Sequence, residues 1–452
     1  AHATDYAYDL FDRQDVMTYA DLKQTDFDYD KNSNLTKVTQ GLPTTPKVID
    51  YVYDPLNRLT NKNFSATTSL NTTYQYDLGS RLSLAINAQQ TVGYFYNNLN
   101  HMTVAGQIYG NNQLALSFYT HDKVGNRRTV TYPSGKLVEY TYDAKNRLDL
   151  VKVNGTLITD HNWDLLDRRA GATEYLSSNK KTATTYAFDL ANQLSKISHT
   201  NGAGANLAQF DYASYDRVGN RKDLKISRPA STLKIKYGYN AIYELTSVTG
   251  GQTHAFTLDN VGNRTNVDNV VYQPNVVNQY TQVGPQAYTY SDSGNLTNDG
   301  VNTYTYDEEN RLSAVTNANA TYTYDGLNRR VSKTVGGVST YFIYDGDREI
   351  EERTTGGALV ADYVYGESID EVLTMSRGGS TYFYYYDGLG SVTDLMNTAG
   401  TVVESYNYDV YGQPMALSTV GNPFYFTGPR LDTEYGIYYY PARMNSPTNG
   451  RF

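Results

Sequence analysis

The stretch Tyr304-Thr-Tyr-Asp-Glu-Glu-Asn-Arg-Leu312 is followed at once by Tyr322-Thr-Tyr-Asp-Gly-Leu-Asn-Arg-Arg330. A phrase of this kind, repeated along a chain, leaves little choice of fold. Side chains on a strand alternate between faces, so Tyr304 and Tyr306 share one face, as do Tyr322 and Tyr324. Asp307 and Asp325 come where the strand must stop, and each carboxylate can accept backbone N–H groups two residues on. Asn310 tolerates the left-handed backbone of a tight return. Arg311 and Arg329 then open the next strand with a guanidinium long enough to lie over a Tyr face. The unit is a β-hairpin, and the expected fold is all-β: a spiral sheet of consecutive hairpins forming a shell or tube.

Aligned on the Asp or Asn that closes the first strand, the phrase recurs at 9, 30, 54, 77, 97, 122, 143, 164, 189, 216, 240, 259, 292, 307, 325, 345, 366, 387 and 409, with Gly366 after Tyr363-Val-Tyr365 as the weakest member. Well-formed members are Tyr51-Val-Tyr53-Asp54 with Arg58, and Tyr140-Thr-Tyr142-Asp143 with Arg147. Nineteen units of two strands, at roughly 4.8 Å per strand, give a sheet about 180 Å wide. That wall makes one turn about 60 Å across or two turns about 30 Å across, which suits part of a larger shell or an open tube. The step from 259 to 292 contains Pro274 and Pro285 and reads as a longer connecting loop. The spacing predicts a repeat array over 1–335, beginning in mid-array, with the last repeats falling within 336–452. The leading strand, Tyr6 to Asp9, then presents an edge suited to pairing with further sheet, from upstream sequence or another copy.

Forty-six Tyr against 13 Phe and one Trp, with hydrophobics at only 39%, leave no thick aliphatic core. Tyr suits a sheet wet on at least one side. A net charge of −9 without a basic cluster argues against nucleic acid, and no apolar run is long enough to span a membrane. The first residues have neither the basic nor the apolar region of a signal peptide. With no Cys, disulfides and thiolate chemistry are excluded.

No catalytic, cofactor-binding or metal-ligating set emerges. The six His (2, 101, 121, 161, 199 and 254) are not at ligand spacing; His121 and His161 occupy Tyr positions and read as ring substitutes. Asp28-Tyr-Asp-Lys-Asn32 begins like a calcium loop but has Ser33 and Thr39 where Gly and an acid are needed, so it reads as another turn. Residues 345–371 carry nine Asp and Glu against Arg348 and Arg353. They read as a solvated hairpin face, with a calcium site as the alternative. The Tyr rings could stack on glycans, although their i, i+2 registration favours a structural ladder in which Tyr304 and Tyr306 stack in register with Tyr322 and Tyr324. Seven Asn-x-Ser/Thr sites, such as Asn34 and Asn154, follow from composition.

These Tyr-Asp repeats resemble the RHS/YD-repeat family over essentially the whole chain. Residues 382–452 are similar to the RHS-associated core: Tyr386-Asp-Gly-Leu-Gly-Ser-Val392, Asn422-Pro-Phe-Tyr-Phe-Thr-Gly428, Tyr435-Gly-Ile-Tyr-Tyr-Tyr-Pro-Ala-Arg443 and Pro447-Thr-Asn-Gly-Arg-Phe452. The resemblance implies a secreted spiral shell plugged by its core module, holding a cleavable C-terminal cargo that is often a toxin. It implies no cofactor and no catalysis by the wall; extracellular surface or adhesive proteins, filaments included, are the alternative. Tyr384-Tyr-Tyr-Asp387 departs from the family, which often has a His there, and so does Asn445-Ser446-Pro447, where Tyr-Asp-Pro is usual. The self-cleaving Asp-Pro segment would fall beyond Phe452.

Overall fold

The computed structural model describes residues 3–43, 46–441 and 443–451. It is all-β. The one helical element among them is a three-residue 3-10 turn, Thr68–Leu70. Among the described residues forty-three strands follow one another as a meander, each antiparallel to its chain neighbour wherever it pairs.

The repeat unit closes through one local device. At Asp54 the backbone N–H donates to the Arg58 carbonyl at 3.0 Å, and the Asn57 N–H to the Asp54 carbonyl at 2.9 Å. The carboxylate accepts the N–H groups of Leu56 and Arg58 at 2.9 and 3.0 Å and the Arg58 Nε at 2.7 Å. The Arg58 side chain and these amides hold the carboxyl below its usual range. Asp143 with Arg147, Asp307 with Arg311 and Asp325 with Arg329 are built alike. The fourth turn residue is left-handed throughout: Asn57, Asn146, Asn310 and Asn328 have φ of 59°, 61°, 61° and 68°. Asn bears this conformation better than Ala does. Replacing Asn146 by Ala should therefore cost about 1 kcal/mol, and by Gly only a few tenths. Chemical denaturation checks this; an Ala variant as stable as the Gly variant would contradict it.

Units are joined by the same Arg. Its guanidinium lies over the second aromatic ring of the following unit: Arg58 over Tyr76 at 4.8 Å, Arg147 over Trp163 at 5.2 Å, Arg311 over Tyr324 at 4.6 Å, Arg329 over Tyr344 at 4.9 Å. That second Tyr donates its hydroxyl back to the preceding unit, as Tyr53 does to Leu35 O and Tyr324 to Leu312 O. Direct stacking of Tyr304 and Tyr306 on Tyr322 and Tyr324 does not occur. Strand Leu312–Val315 separates Tyr304–Tyr306 from Ala320–Tyr324. With two strands per unit, Tyr-bearing strands stand about 10 Å apart, and Arg fills the gap.

The 259–292 stretch is also corrected. It holds strands Arg264–Val267, Val270–Pro274 and Tyr280–Val283 rather than a long loop. Pro274 ends its strand, and Asn275 with Gln279 closes a turn of the repeat type. At position 292 the turn is closed by Ser291 instead, and Asp345 sits in a two-residue hairpin opposite Arg348.

The meander winds on itself. Lys23 reaches Ser291, Tyr74 reaches Gly326, Gln107 reaches Tyr344, Tyr132 reaches Tyr363, and Arg228 reaches Asp394. The sequence separation of such contacts falls from 268 residues at Lys23 to 166 at Arg228. The stretch 23–228 thus runs beside the much shorter stretch 291–394, and the spiral tightens. A Cβ at Gly326 would collide with Thr72, so only glycine allows this approach of the two turns.

Strands of the first turn alternate in burial, as in Thr72–Tyr76. Those of the second do not: Leu359–Tyr365 and Val392–Asn397 each have five consecutive buried residues. Both of their faces are covered. Asp362 and Tyr385 face the first turn through Lys136 and Thr182, while Tyr363 and Tyr384 face residues 422–430. A sheet wet on one side therefore describes only the first turn. Buried Tyr hydroxyls of the second turn find polar partners: Tyr365 the Glu349 carbonyl, Tyr363 the Glu352 carboxylate, Tyr384 the Asn422 side chain and Tyr385 the Thr182 hydroxyl.

Candidate functional site

The most concentrated chemistry lies where residues 404–451 cover the second turn. Three short strands, Arg430–Asp432, Ile437–Tyr440 and Arg443–Asn445, form a separate small sheet. Arg430 projects from it onto Glu349 and Glu352: Nε to Glu349 Oε2 at 2.8 Å, and Nη2 to Glu352 Oε1 at 2.7 Å. Arg377 holds Glu352 from the other side at 2.5 Å, and the Tyr363 hydroxyl donates to it at 2.6 Å. Burial alone would raise the Glu352 carboxyl; Arg430, Arg377 and Tyr363 hold it at about 2. Phe342 and Phe424 sandwich the guanidinium.

A second buried pair stands beside the first. Arg330, 1% exposed, donates to Asp432 at 2.6 Å and lies 3.9 Å from the Tyr439 ring centroid. Lys333 adds contacts to Asp432 and Glu434. Tyr435 stands 6.3 Å from the rings of both Tyr304 and Tyr322, bridging two rings whose own strands are not neighbours. Arg451 reaches back to Asn263 and Asn278.

These contacts correct the reading of residues 345–371. The stretch is neither a solvated face nor a cation loop but an acidic receptor for cations from elsewhere. Asp345 takes Arg127, Glu349 and Glu352 take Arg430, Asp362 takes Lys136, and Glu371 takes Arg169. Among the described residues no group of three or more His, Asp or Glu is placed to hold a metal ion. Asp30 closes a repeat turn on Asn32 and Asn34.

Of the repeat residues, Tyr140, Tyr304, Tyr322, Tyr324, Asp307, Asp325 and Arg329 are buried. Tyr51, Tyr53, Asp54, Arg58, Tyr142, Asp143, Arg147, Tyr306 and Arg311 are half-buried. Sequence reasoning passed over Arg330, Arg430 and Asp432. The doubled Arg329-Arg330 was the visible signal, since only one Arg serves the repeat.

His101 and His121 do replace the Arg and Tyr of the ladder, with ring centroids 4.8 Å apart. His161 and His199 do more. Both line a small enclosed chamber between the turns, with Glu174, Thr184, Tyr385, Tyr386 and the Arg169–Glu371 pair. Thr182 and Thr184 hydroxyls contact Glu174 at 3.0 and 3.1 Å; Thr184 also contacts His199 Nδ1, and His199 Nε2 contacts Tyr386 O. Burial raises the Glu174 carboxyl to about 7 and lowers both imidazoles to about 4. His2 and Phe452 lie outside the described residues.

The Teneurin YD-shell family profile matches residues 207–434, and the RHS-repeat profile matches 121–157. The tRNA3(Ser)-specific nuclease WapA of Bacillus spizizenii is 33% identical over 235 residues, covering 47% of this chain and 10% of that protein. The tRNA nuclease WapA of Bacillus subtilis is 32% identical with the same coverage. Double-stranded DNA deaminase toxin A of Burkholderia cenocepacia is 22% identical over 95% of this chain and 30% of its own length. The chain thus spans about a tenth of the length of the WapA relatives. Among solved structures, TcdB2-TccC3 superposes with a TM-score of 0.80 at 15% identity, over 99% of this chain and 27% of that one. The Photorhabdus luminescens Tc holotoxin pore gives 0.79 at 15% identity, over 98% and 26%. At such identity the likeness concerns the fold.

Proposed function

The chain belongs to the RHS/YD-repeat family, and we propose that it is part of the wall of a shell in a secreted, toxin-type protein. In this reading residues 1–335 supply wall, and 336–452 supply the last turn with its closing module. The wall does no chemistry itself; it surrounds or presents a toxic segment carried elsewhere in the polypeptide. One observation carries the proposal: the spiral tightens, and its narrow turn is covered by residues 404–451 through the buried Arg430 and Arg330 pairs. A tapering wall sealed by its own chain suits containment better than it suits a uniform tube. The relatives fit this reading, since WapA is named a tRNA nuclease and the Burkholderia protein a double-stranded DNA deaminase toxin.

The coding sequence on both sides is the direct test. Long upstream repeats and a variable domain after Phe452 are expected. A stop codon there, without upstream repeats, would sink the shell reading.

The second reading, an extracellular filament or adhesive subunit, is favoured by the strand Asp5–Tyr8. All four of its residues are exposed, with Tyr6 at 52% and Tyr8 at 59%. Such an edge recruits further sheet. In a dilute monomer, amides 5–8 should exchange within the fastest class, and slowly once copies associate. Slow exchange in a proven monomer would defeat edge pairing.

A further inference from the structure

Lys136 ends the tight turn after Tyr132 on the first turn, and Asp362 lies in strand Leu359–Tyr365 of the second. The Lys136 ammonium donates to Asp362 Oδ1 and to Ser376 Oγ, the latter at 3.0 Å. Asp362 is 3% exposed, and its surroundings are the largest apolar cluster, with Tyr132, Val138, Tyr363 and Met375. Burial raises the Asp362 carboxyl even with the ammonium beside it. The neutral acid is therefore within reach at this site.

A third group completes the set. Glu351 is the direct cross-strand partner of Asp362, and a register pair of this kind shares one face. Its side chain is fully buried. Its Oε1 accepts the N–H of Ser134 at 2.8 Å, two residues before Lys136, and its Oε2 is paired with Arg353 at 2.7 Å. An amine and a carboxyl thus meet across a junction that closes 226 residues, with a buried carboxylate held next to both in the fold, opposite Asp362 in the strand register and bonded two residues before Lys136.

We propose that Lys136 and Asp362 join as an intramolecular amide, with Glu351 as proton carrier, covalently stapling the first turn of the spiral to the second. The Glu351 carboxylate takes a proton from the Lys136 ammonium, and the freed amine attacks Cγ of the protonated Asp362. The Nζ–Cγ bond forms and the Cγ–OH bond breaks; Glu351 gives its proton to the departing hydroxyl, which leaves as water, then takes the proton left on the new amide nitrogen and passes it to solvent, balancing the one that neutralised Asp362. Ammonium plus carboxylate give amide plus one water, with no oxidant and no cofactor. Fixing the reactants in contact supplies the effective concentration that condensation lacks in solution. Exclusion of water from the site disfavours the reverse hydrolysis. Like a disulfide across a long loop, the bond would also restrict the unfolded chain.

Mass spectrometry of the folded full chain tests this. The expected intact mass is one water below that of the sequence. Trypsin should yield residues 129–145, uncut at Lys136, joined to residues 354–377. K136R should restore the full mass. E351Q, folded by circular dichroism, should retain the full mass because the proton carrier is gone. A wild-type chain at its full sequence mass overturns the proposal. So does a water loss that persists in K136R, since the dehydration would then lie elsewhere. An E351Q variant that still cross-links would remove Glu351 from its role.

Discussion

Arg430→Ala should be the most damaging single change in the closing module, at about 3–5 kcal/mol of stability. Arg430 is 6% exposed, and its guanidinium serves two carboxylates that are themselves buried, Glu349 and Glu352. Pairing offsets the desolvation of all three groups, so removing the cation leaves acidic charge without compensation. Arg377 still reaches Glu352 but not Glu349. The space between Phe342 and Phe424 is vacated as well. The loss should depend on pH. In the wild type Glu352 is held at about 2; without Arg430, burial pushes that carboxyl up and acid neutralises it. The deficit should therefore shrink as pH falls toward 4. Denaturant midpoints at pH 7 and pH 4, with trypsin release of the C-terminal segment, would show it. A loss below about 1 kcal/mol at pH 7 would mean that Arg430 holds nothing essential.

Glu174→Gln should stabilise the protein at pH 8 and leave it unchanged near pH 4. The sign follows from linkage. The Glu174 carboxyl stands at about 7 in the folded state, raised by burial from an ordinary 4.5. Between those values the folded state binds more protons, so this group withdraws stability as pH rises, fully so above pH 7. The shift corresponds to about 2 kcal/mol once the residue's partial exposure is discounted. His161 and His199 act oppositely. Their imidazoles are lowered to about 4, so they add stability as pH climbs from 4 to 6.5. Arg169 with Glu371, and the hydroxyls of Tyr385 and Thr182, face the same chamber. A Gln at 174 keeps hydrogen-bonding partners for Thr182 and Thr184 and removes the falling arm. Melting temperatures of both proteins from pH 4 to 8 would decide. Curves that run parallel over that range would show that Glu174 does not carry the proton assigned to it.

The hairpin unit was legible because it is local. The Asp54 carboxylate, the Asn57 backbone and the Arg58 guanidinium close a turn within five residues, and each residue type is chosen by that geometry. The same locality made the all-β spiral legible, since repeated hairpins with positive-φ returns have few other solutions. It also set the limits. Tyr-to-Tyr stacking was expected from spacing along the chain, whereas strand Leu312–Val315 interposes and Arg311 makes the contact. The acidic run 345–371 looked solvated because its cations come from Arg127, Lys136, Arg169 and Arg430. What the chain determined by itself was the strand, the turn and the handing of each Arg to the next ring. Only tertiary structure decided which turn lies on which, and that the second is buried on both faces. It decided too that Glu174 and His199 meet Tyr385 and Tyr386 in one chamber. Those contacts close loops of 166 to 268 residues, and no periodicity within a hairpin records the radius at which a spiral returns to itself.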